Sequence, residues 1–276
     1  MKTKMKANHA LSGLITGLLL LAAGTTTSHA SLVLKFDAAN YNPTTNVWAD
    51  TSGNANNAVG PGPANSPTLT LNATPTGQSA VTFVQGYEYL DLTTNLNNAA
   101  LTSSPSFSLF AVARKVDASY GLLLSGNGNG GAEGIGYRLD GGNGNRQTLT
   151  KNNVVDIGTS ASATASGDFH LFGVTYDGTT ARFFLDGVAD GTAVNSQTFN
   201  TGIFHIGIQA GTGAGGFSGD IAALRVYDTV LSGAALTGVE NSLITTFTAV
   251  PEPGTTLFGF ACVGVAAFRR RRNSAV

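Results

Sequence analysis

The stretch DFHLFGVTYDGTTARFFLDGVADG, residues 168–191, limits the fold more than any other part of the chain. Apolar and polar residues alternate over 169–176 and again over 181–185, and Asp177-Gly178 stands between the two runs. Alternation with period two lines one face of a strand, and Asp-Gly supplies the positive φ that a tight hairpin turn needs. A second Asp-Gly at 186–187 turns the chain once more. The pattern specifies an antiparallel pair of strands followed by a second turn.

The same grammar continues in both directions. Residues 32–36, 120–125, 134–140, 203–208 and 221–227 read as short strands, and 81–84 with 87–92 reads as a hairpin across Gln85-Gly86. In 106–114, Phe107, Leu109, Ala111 and Ala113 fall on one face and Phe110 and Val112 on the other. An apolar residue on both faces predicts an inner strand covered on two sides. Residues 40–75 read as a long loop-rich stretch, and Ser232 is placed to cap one late helix through about Ile244. Roughly ten to thirteen short strands and one helix predict an all-β fold, a two-sheet antiparallel jelly-roll sandwich. The runs GNGNGG and GGNGN lack the nonapeptide period of a calcium β-roll. GNGNGGAEGIG also lacks the helix and the Lys-Ser/Thr of a phosphate loop.

The two ends follow a different logic. Lys2, Lys4 and Lys6, an apolar run over 11–23 and Ser28-His29-Ala30 have the order of a secretory signal peptide, with cleavage between Ala30 and Ser31. An uncleaved anchor is the alternative, and the short run disfavours it. Near the other end, Val250-Pro251-Glu252-Pro253 precedes an apolar run over 255–268 and then Arg269, Arg270, Arg271 and Arg272. As a helix that run reaches roughly 21 Å, short of a hydrocarbon core of about 30 Å, so it is at best a short transmembrane helix. Arginines after it favour a cytoplasmic C-terminus and an exported body. A weak span behind a small polar motif suits a removable sorting anchor, and a permanent C-terminal anchor is the alternative. The organisation expected is therefore a signal peptide over 1–30, one domain over 31–245, and a linker with sorting signal over 246–276.

With the ends set aside, residues 31–250 carry eight basic and fifteen acidic side chains, a net charge of −7. An acidic body does not neutralise phosphates, which argues against nucleic acid as a partner. The only cysteine, Cys262, lies in the tail, so the body has no disulfide and must be held by its core. About 220 residues suit one large β domain.

Two resemblances sharpen these readings. The ordered tail resembles the PEP-CTERM sorting signal of Gram-negative bacteria that make exopolysaccharide. That resemblance implies signal peptidase and an exosortase as processing partners and a transient inner-membrane intermediate. It also implies a final place on the cell surface or in the extracellular matrix. HLFGVTYDGTTARFFLDG, then FHIG, then GFSGDIAALRVYDTVLS, is similar to the laminin-G-like, concanavalin A-like lectin/glucanase jelly roll. The opening LVLKFDAANYNPTTNVWADTSGNANNA resembles the start of such domains, with Asp37, Trp48, Asp50, Ser52, Gly53 and Asn54 at matching places. The resemblance implies the fold and leaves the function to a site, since this fold hosts lectins, glycanases and spacers.

A retaining or inverting glycosidase needs two carboxyl groups across a bond. No Glu-x-Asp-x-Glu run exists, Glu88 and Asp91 are three apart and so on opposite faces of a strand, and Glu133 and Glu240 stand alone. His170 and His205 have no Ser or Cys in an elbow-type turn beside them and read as cross-strand residues. No catalytic residue is therefore assigned. Calcium takes several oxygens, and Asp50, Ser52 and Asn54 on a glycine loop, with Asp220, are the candidates for a structural calcium. Asx-turns explain Asp50 and Asn54 equally well. For a glycan, Tyr120, Tyr137, Arg138, Asn143 and Arg146 offer an aromatic platform and hydrogen-bonding groups from adjoining loops, although Tyr137 also reads as a sheet-face residue with Arg138 as its solvent-facing neighbour. Trp48 reads as a core anchor. The expected protein is an exported, non-catalytic, lectin-like surface or matrix protein binding a glycan or another surface protein. A glycan hydrolase and a purely structural matrix protein are the alternatives.

Overall fold

The computed structural model describes residues 30–84, 86–96, 98–126, 133–200, 202–209 and 215–249. The signal segment before Ala30 and the sorting motif, apolar run and arginines from Val250 onward lie outside the described residues. Within them, no helix is long and apolar enough to cross a membrane.

The strands, in chain order, are β1 (Leu32–Asp37), β2 (Tyr41–Asn42), β3 (Val47–Trp48), β4 (Ala58–Val59), β5 (Thr68–Thr70) and β6 (Ala80–Phe83). They continue with β7 (Leu90–Leu92), β8 (Phe107–Lys115), β9 (Tyr120–Gly126), β10 (Ile135–Asp140), β11 (Arg146–Lys151) and β12 (Val155–Thr159). The last are β13 (His170–Tyr176), β14 (Thr180–Leu185), β15 (Val188–Val194), β16 (Phe204–Ile206) and β17 (Gly219–Tyr227), followed by α1 (Gly233–Leu243). One sheet has the order β15-β14-β13-β8-β17-β6-β5, with β1 paired to the second half of β17. The other runs β12-β11-β10-β9-β16-β7-β4-β3-β2. Every pairing is antiparallel, as in β13 with β14 and β10 with β11. The two-sheet antiparallel sandwich is the architecture the sequence predicts.

The pair of strands forms as read, β13 and β14 joined at Asp177-Gly178, and the turn at Asp186-Gly187 leads into a third strand, β15, that was not read from the sequence. Asp177 holds its turn by accepting from the backbone N–H of Thr179 and Thr180 at 3.1 and 2.7 Å. The two-faced reading of β8 also holds: Phe107, Leu109, Ala111 and Ala113 enter the core between the sheets, while Phe110 and Val112 enter a second cluster. That second cluster lies behind the β8 sheet, where Leu231, Leu243 and Phe247 from the α1 region cover Phe110, Phe169 and Leu171. Ser232 precedes the helix, but its side chain makes no capping hydrogen bond. Trp48 is fully buried, packs on Phe36 and Tyr41, and donates its indole N–H to the Asp37 carbonyl at 2.7 Å.

Three expectations need correction. Residues 81–84 and 87–92 do not form a hairpin: β6 belongs to one sheet and β7 to the other, so the chain crosses the sandwich there. The Glu88 carboxylate ties that crossing by accepting from the Val84 N–H at 2.6 Å, and Glu88 lies outside β7, so it shares no strand with Asp91. Residues 40–75 hold four short strands, β2 to β5, which extend both sheets at their edges. The hairpin β11–β12 was not anticipated at all.

Candidate functional site: the outer face of the nine-stranded sheet

Alternation along β10 decides which side chains can meet a ligand. Ile135, Tyr137 and Leu139 point into the core, and Arg138 and Asp140 therefore point outward. Register places Arg138 opposite Leu122 of β9 and Thr148 of β11, and Asp140 opposite Tyr120 and Arg146. The β11–β12 hairpin brings Asp156 to the same face, and Arg138 grips it with two parallel bonds, Nη1 to Oδ1 at 2.7 Å and Nη2 to Oδ2 at 2.8 Å. Asp140 stands 3.8 Å from the same guanidinium. The Tyr120 ring lies under it, 4.8 Å from ring centroid to guanidinium carbon. Such a stack on a bidentate pair fixes every torsion of a long side chain.

Tyr120, Arg138 and Asp156 line an open depression of about 330 Å³, completed by Thr150, Asn153, Val154 and Val155. It has one aromatic residue, one apolar edge and the Asp156 carboxylate as acceptor. Burial opposes the charge on Arg138, but the Asp156 bond and the neighbouring Tyr120, Asp156 and Asp140 outweigh it, so the guanidinium is held more firmly protonated. Burial raises the Tyr120 phenol as well, so it stays a neutral hydroxyl. Arg138 also keeps its Nε buried without a partner among the described residues.

Of the five residues read as glycan contacts, Tyr120 and Arg138 meet in this depression. Tyr137 does not: it is fully buried, and its hydroxyl donates to Gln147 Oε1 at 2.6 Å inside the sandwich. Asn143 and Arg146 sit beside Asp140 at one end of the same sheet, where Asn143 donates to the Asp140 carboxylate at 2.9 Å. Asp156, Thr150 and Asn153 were missed, because the hairpin carrying them was missed.

Further along the face, His205 of β16 lies opposite Asp91 of β7 on one side and Ser125 of β9 on the other. Its Nδ1 bonds Asp91, and its Nε2 is buried without a partner among the described residues. Ser125 donates to the Ile208 carbonyl at 2.7 Å. His170 pairs instead with Asp186 at 2.7 Å at the start of β13 in the other sheet, so the two histidines are cross-strand or turn residues at separate places. Burial pushes the carboxyls of Glu88 and Glu240 upward, but neither lines the depression.

Of the residues proposed for calcium, Asp50, Ser52 and Asn54 meet in one loop, bonded to one another, and Asp220 lies apart on β17. Asp50 Oδ1 accepts from the N–H groups of Lys35 and Ser52, both at 2.9 Å. Its Oδ2 accepts from Ser52 Oγ at 2.8 Å and the Asn56 N–H at 3.0 Å. Asn54 spends its amide on the Leu32 and Val33 carbonyls. Asp220 is buried on β17 between Thr82 and Arg114. A divalent cation would have to displace the donors that occupy the Asp50 carboxylate in this arrangement. No group of three His, Cys, Asp or Glu side chains suited to a metal occurs among the described residues.

A family model described as the concanavalin A-like lectin/glucanases superfamily matches residues 84–237. No protein of curated function matches the chain. Among solved structures, domain 4 of AbnA, an extracellular arabinanase of Geobacillus stearothermophilus in complex with arabinotriose, aligns with TM-score 0.58 and 17% identity. The alignment covers 76% of this chain and 98% of that one. Trypanosoma rangeli sialidase in complex with sialic acid aligns with TM-score 0.57 and 13% identity over 79% of this chain and 34% of that one. A botulinum neurotoxin type C structure, whose cell entry depends on two ganglioside molecules, aligns with TM-score 0.53 and 17% identity over 77% of this chain and 51% of that one. The chain thus spans about a third of the sialidase and half of the toxin structure. At these identities the likeness is one of fold.

Proposed function

The chain belongs to the concanavalin A-like lectin/glucanases superfamily, and from that premise we propose that it is an exported, non-catalytic glycan-binding protein of the cell surface or matrix. The observation that carries the reading is the depression in which Asp156 and the Tyr120 ring immobilise Arg138. Sugar rings stack on aromatic faces and give their hydroxyl hydrogens to fixed acceptors. The Tyr120 ring with the guanidinium stacked on it supplies such a platform, and Asp156 supplies such an acceptor. Because these groups are held before a ligand arrives, binding costs little side-chain entropy. The complex of the AbnA domain with arabinotriose supports a saccharide as the ligand class.

Export rests on the sequence at the two ends. The signal segment ends at Ala30, just before β1 begins at Leu32. The Pro-Glu-Pro motif, short apolar run and arginines start just after the α1 region ends. Both processing elements therefore flank the folded part without interrupting it. Signal peptidase and an exosortase are the proposed partners in maturation, and the mature protein acts outside the inner membrane.

The reading is tested by saturable binding of the full-length protein to neutral oligosaccharides, arabino-oligosaccharides included. Tyr120→Ala should weaken binding about tenfold, since aromatic stacking contributes on the order of 1–3 kcal/mol. Equal affinity of the variant and the parent would refute the assignment of the depression.

A further inference from the structure

The opposite side of the molecule carries a second feature that a glycan site on the nine-stranded sheet does not use. Lys35 of β1 lies directly opposite Arg225 of β17. Like charges facing each other across an antiparallel pair oppose that pairing. Arg225 is compensated: its Nη1 donates to the Phe36 and Leu224 carbonyls at 2.6 and 2.9 Å, and its Nη2 bonds the Asp37 carboxylate. Lys35 has no acidic partner for its ammonium among the described residues. Both side chains face the space between this strand pair and α1, in a body of net charge −7.

That space is a crevice made of two cavities, of about 350 and 430 Å³, which share Lys35, Arg225, Ser242 and Leu243. One is walled by amide and hydroxyl groups, including Asn40, Gln78, Ser79 and Thr246. The other is walled by Tyr227, Val239 and the small residues of the helix. Asp37 is the only acid among the described residues along either, and Arg225 already occupies it.

We propose that this crevice binds an acidic saccharide, with the sugar carboxylate between Lys35 and Arg225. An anion there removes the like-charge conflict and gives the Lys35 ammonium its missing partner. The wall chemistry favours a saccharide over a free inorganic anion. Donors strung along an elongated crevice with an apolar side match the hydroxyls and C–H face of a pyranose ring. A phosphate instead wants several donors converging on one point.

The test uses the full-length protein and trigalacturonate as probe, with inorganic phosphate and neutral galactotriose in parallel. Trigalacturonate should bind saturably and weaken with salt, and Lys35→Gln should reduce its affinity about tenfold or more, as loss of a charge-assisted bond predicts. Lys35→Arg, which keeps the charge, should retain most of the affinity. Unfolding curves of both variants distinguish lost binding from lost fold. Absence of trigalacturonate binding, equal binding by Lys35→Gln, or binding of phosphate alone would each overturn the proposal.

Discussion

Replacing Asp156 by alanine removes both bonds that hold Arg138 while leaving the guanidinium in place. Arg138 is 9% exposed, so an orphaned charge there is expensive. Removing one partner of a fully buried pair costs about 3–5 kcal/mol. The Asp156 side chain is 51% exposed, however, and water screens its half of the pair. Asp140, 3.8 Å away, recovers part of the loss. The expected destabilisation is therefore about 1–2 kcal/mol. For a domain of this size that lowers Tm by roughly 3–6 °C. Urea unfolding followed by circular dichroism reads the free energy directly, and thermal scans check it. Asp156→Ala combined with Arg138→Met should be less destabilised than Asp156→Ala alone, because the double variant has no orphaned cation. If Asp156→Ala stays within about 0.3 kcal/mol of the parent, or the two substitutions simply add, the pair does not organise the depression and the reasoning fails.

Other consequences follow from the same structure. Glu240 is buried with one carboxyl oxygen unpartnered, and burial raises its pKa, so its contribution is full below the ordinary carboxyl range and falls as pH rises through the raised value. Glu240→Gln should therefore gain stability at pH 8 and match the parent at pH 4, which paired urea titrations would show. The Asp186 bond raises the His170 pKa, so that pair stabilises below the usual histidine range and its effect is lost as pH rises through the raised value. His170→Gln should flatten that part of the pH–stability profile by less than about 1 kcal/mol, since both groups are partly exposed. Trp48→Ala empties the largest fully buried side-chain volume and should cost about 3–5 kcal/mol in chemical unfolding. Because Asp50 and Asp220 already bear hydrogen-bond donors, a chelator should leave both Tm and glycan binding unchanged. A chelator-induced drop would restore calcium to the account.

The fold was legible where period and turn agreed. Residues 168–191 carry alternation and two Asp-Gly turns, and β13 to β15 form there; both faces of β8 pack as its pattern requires. The 81–92 segment misled because Gln85-Gly86 looks like a hairpin turn, while β6 pairs with the preceding β5 and with β17, and β7 with β4 and β16, and β16 and β17 lie far along the chain. Pairing of that kind leaves no local trace. At the site, residue type alone suggested Tyr120 and Arg138 as loop residues, whereas both lie on strands, and the alternative reading of Tyr137 as a sheet-face residue is the one its burial matches. Asp156 was hidden in TLTKNNVVDIG, whose turn uses Asn152-Asn153 in place of glycine or proline. Asn153 at φ 57 is the signal that could have exposed that hairpin, since asparagine tolerates the left-handed region.

The central claim is most directly tested by incubating full-length protein with a panel of neutral and acidic bacterial polysaccharides, measuring bound protein and released reducing ends in the same samples. The account predicts saturable binding, weakened by Tyr120→Ala, with no reducing ends released. Release of reducing ends that depends on residues of the depression would contradict the non-catalytic reading, and absence of binding to every polysaccharide would contradict the lectin-like one.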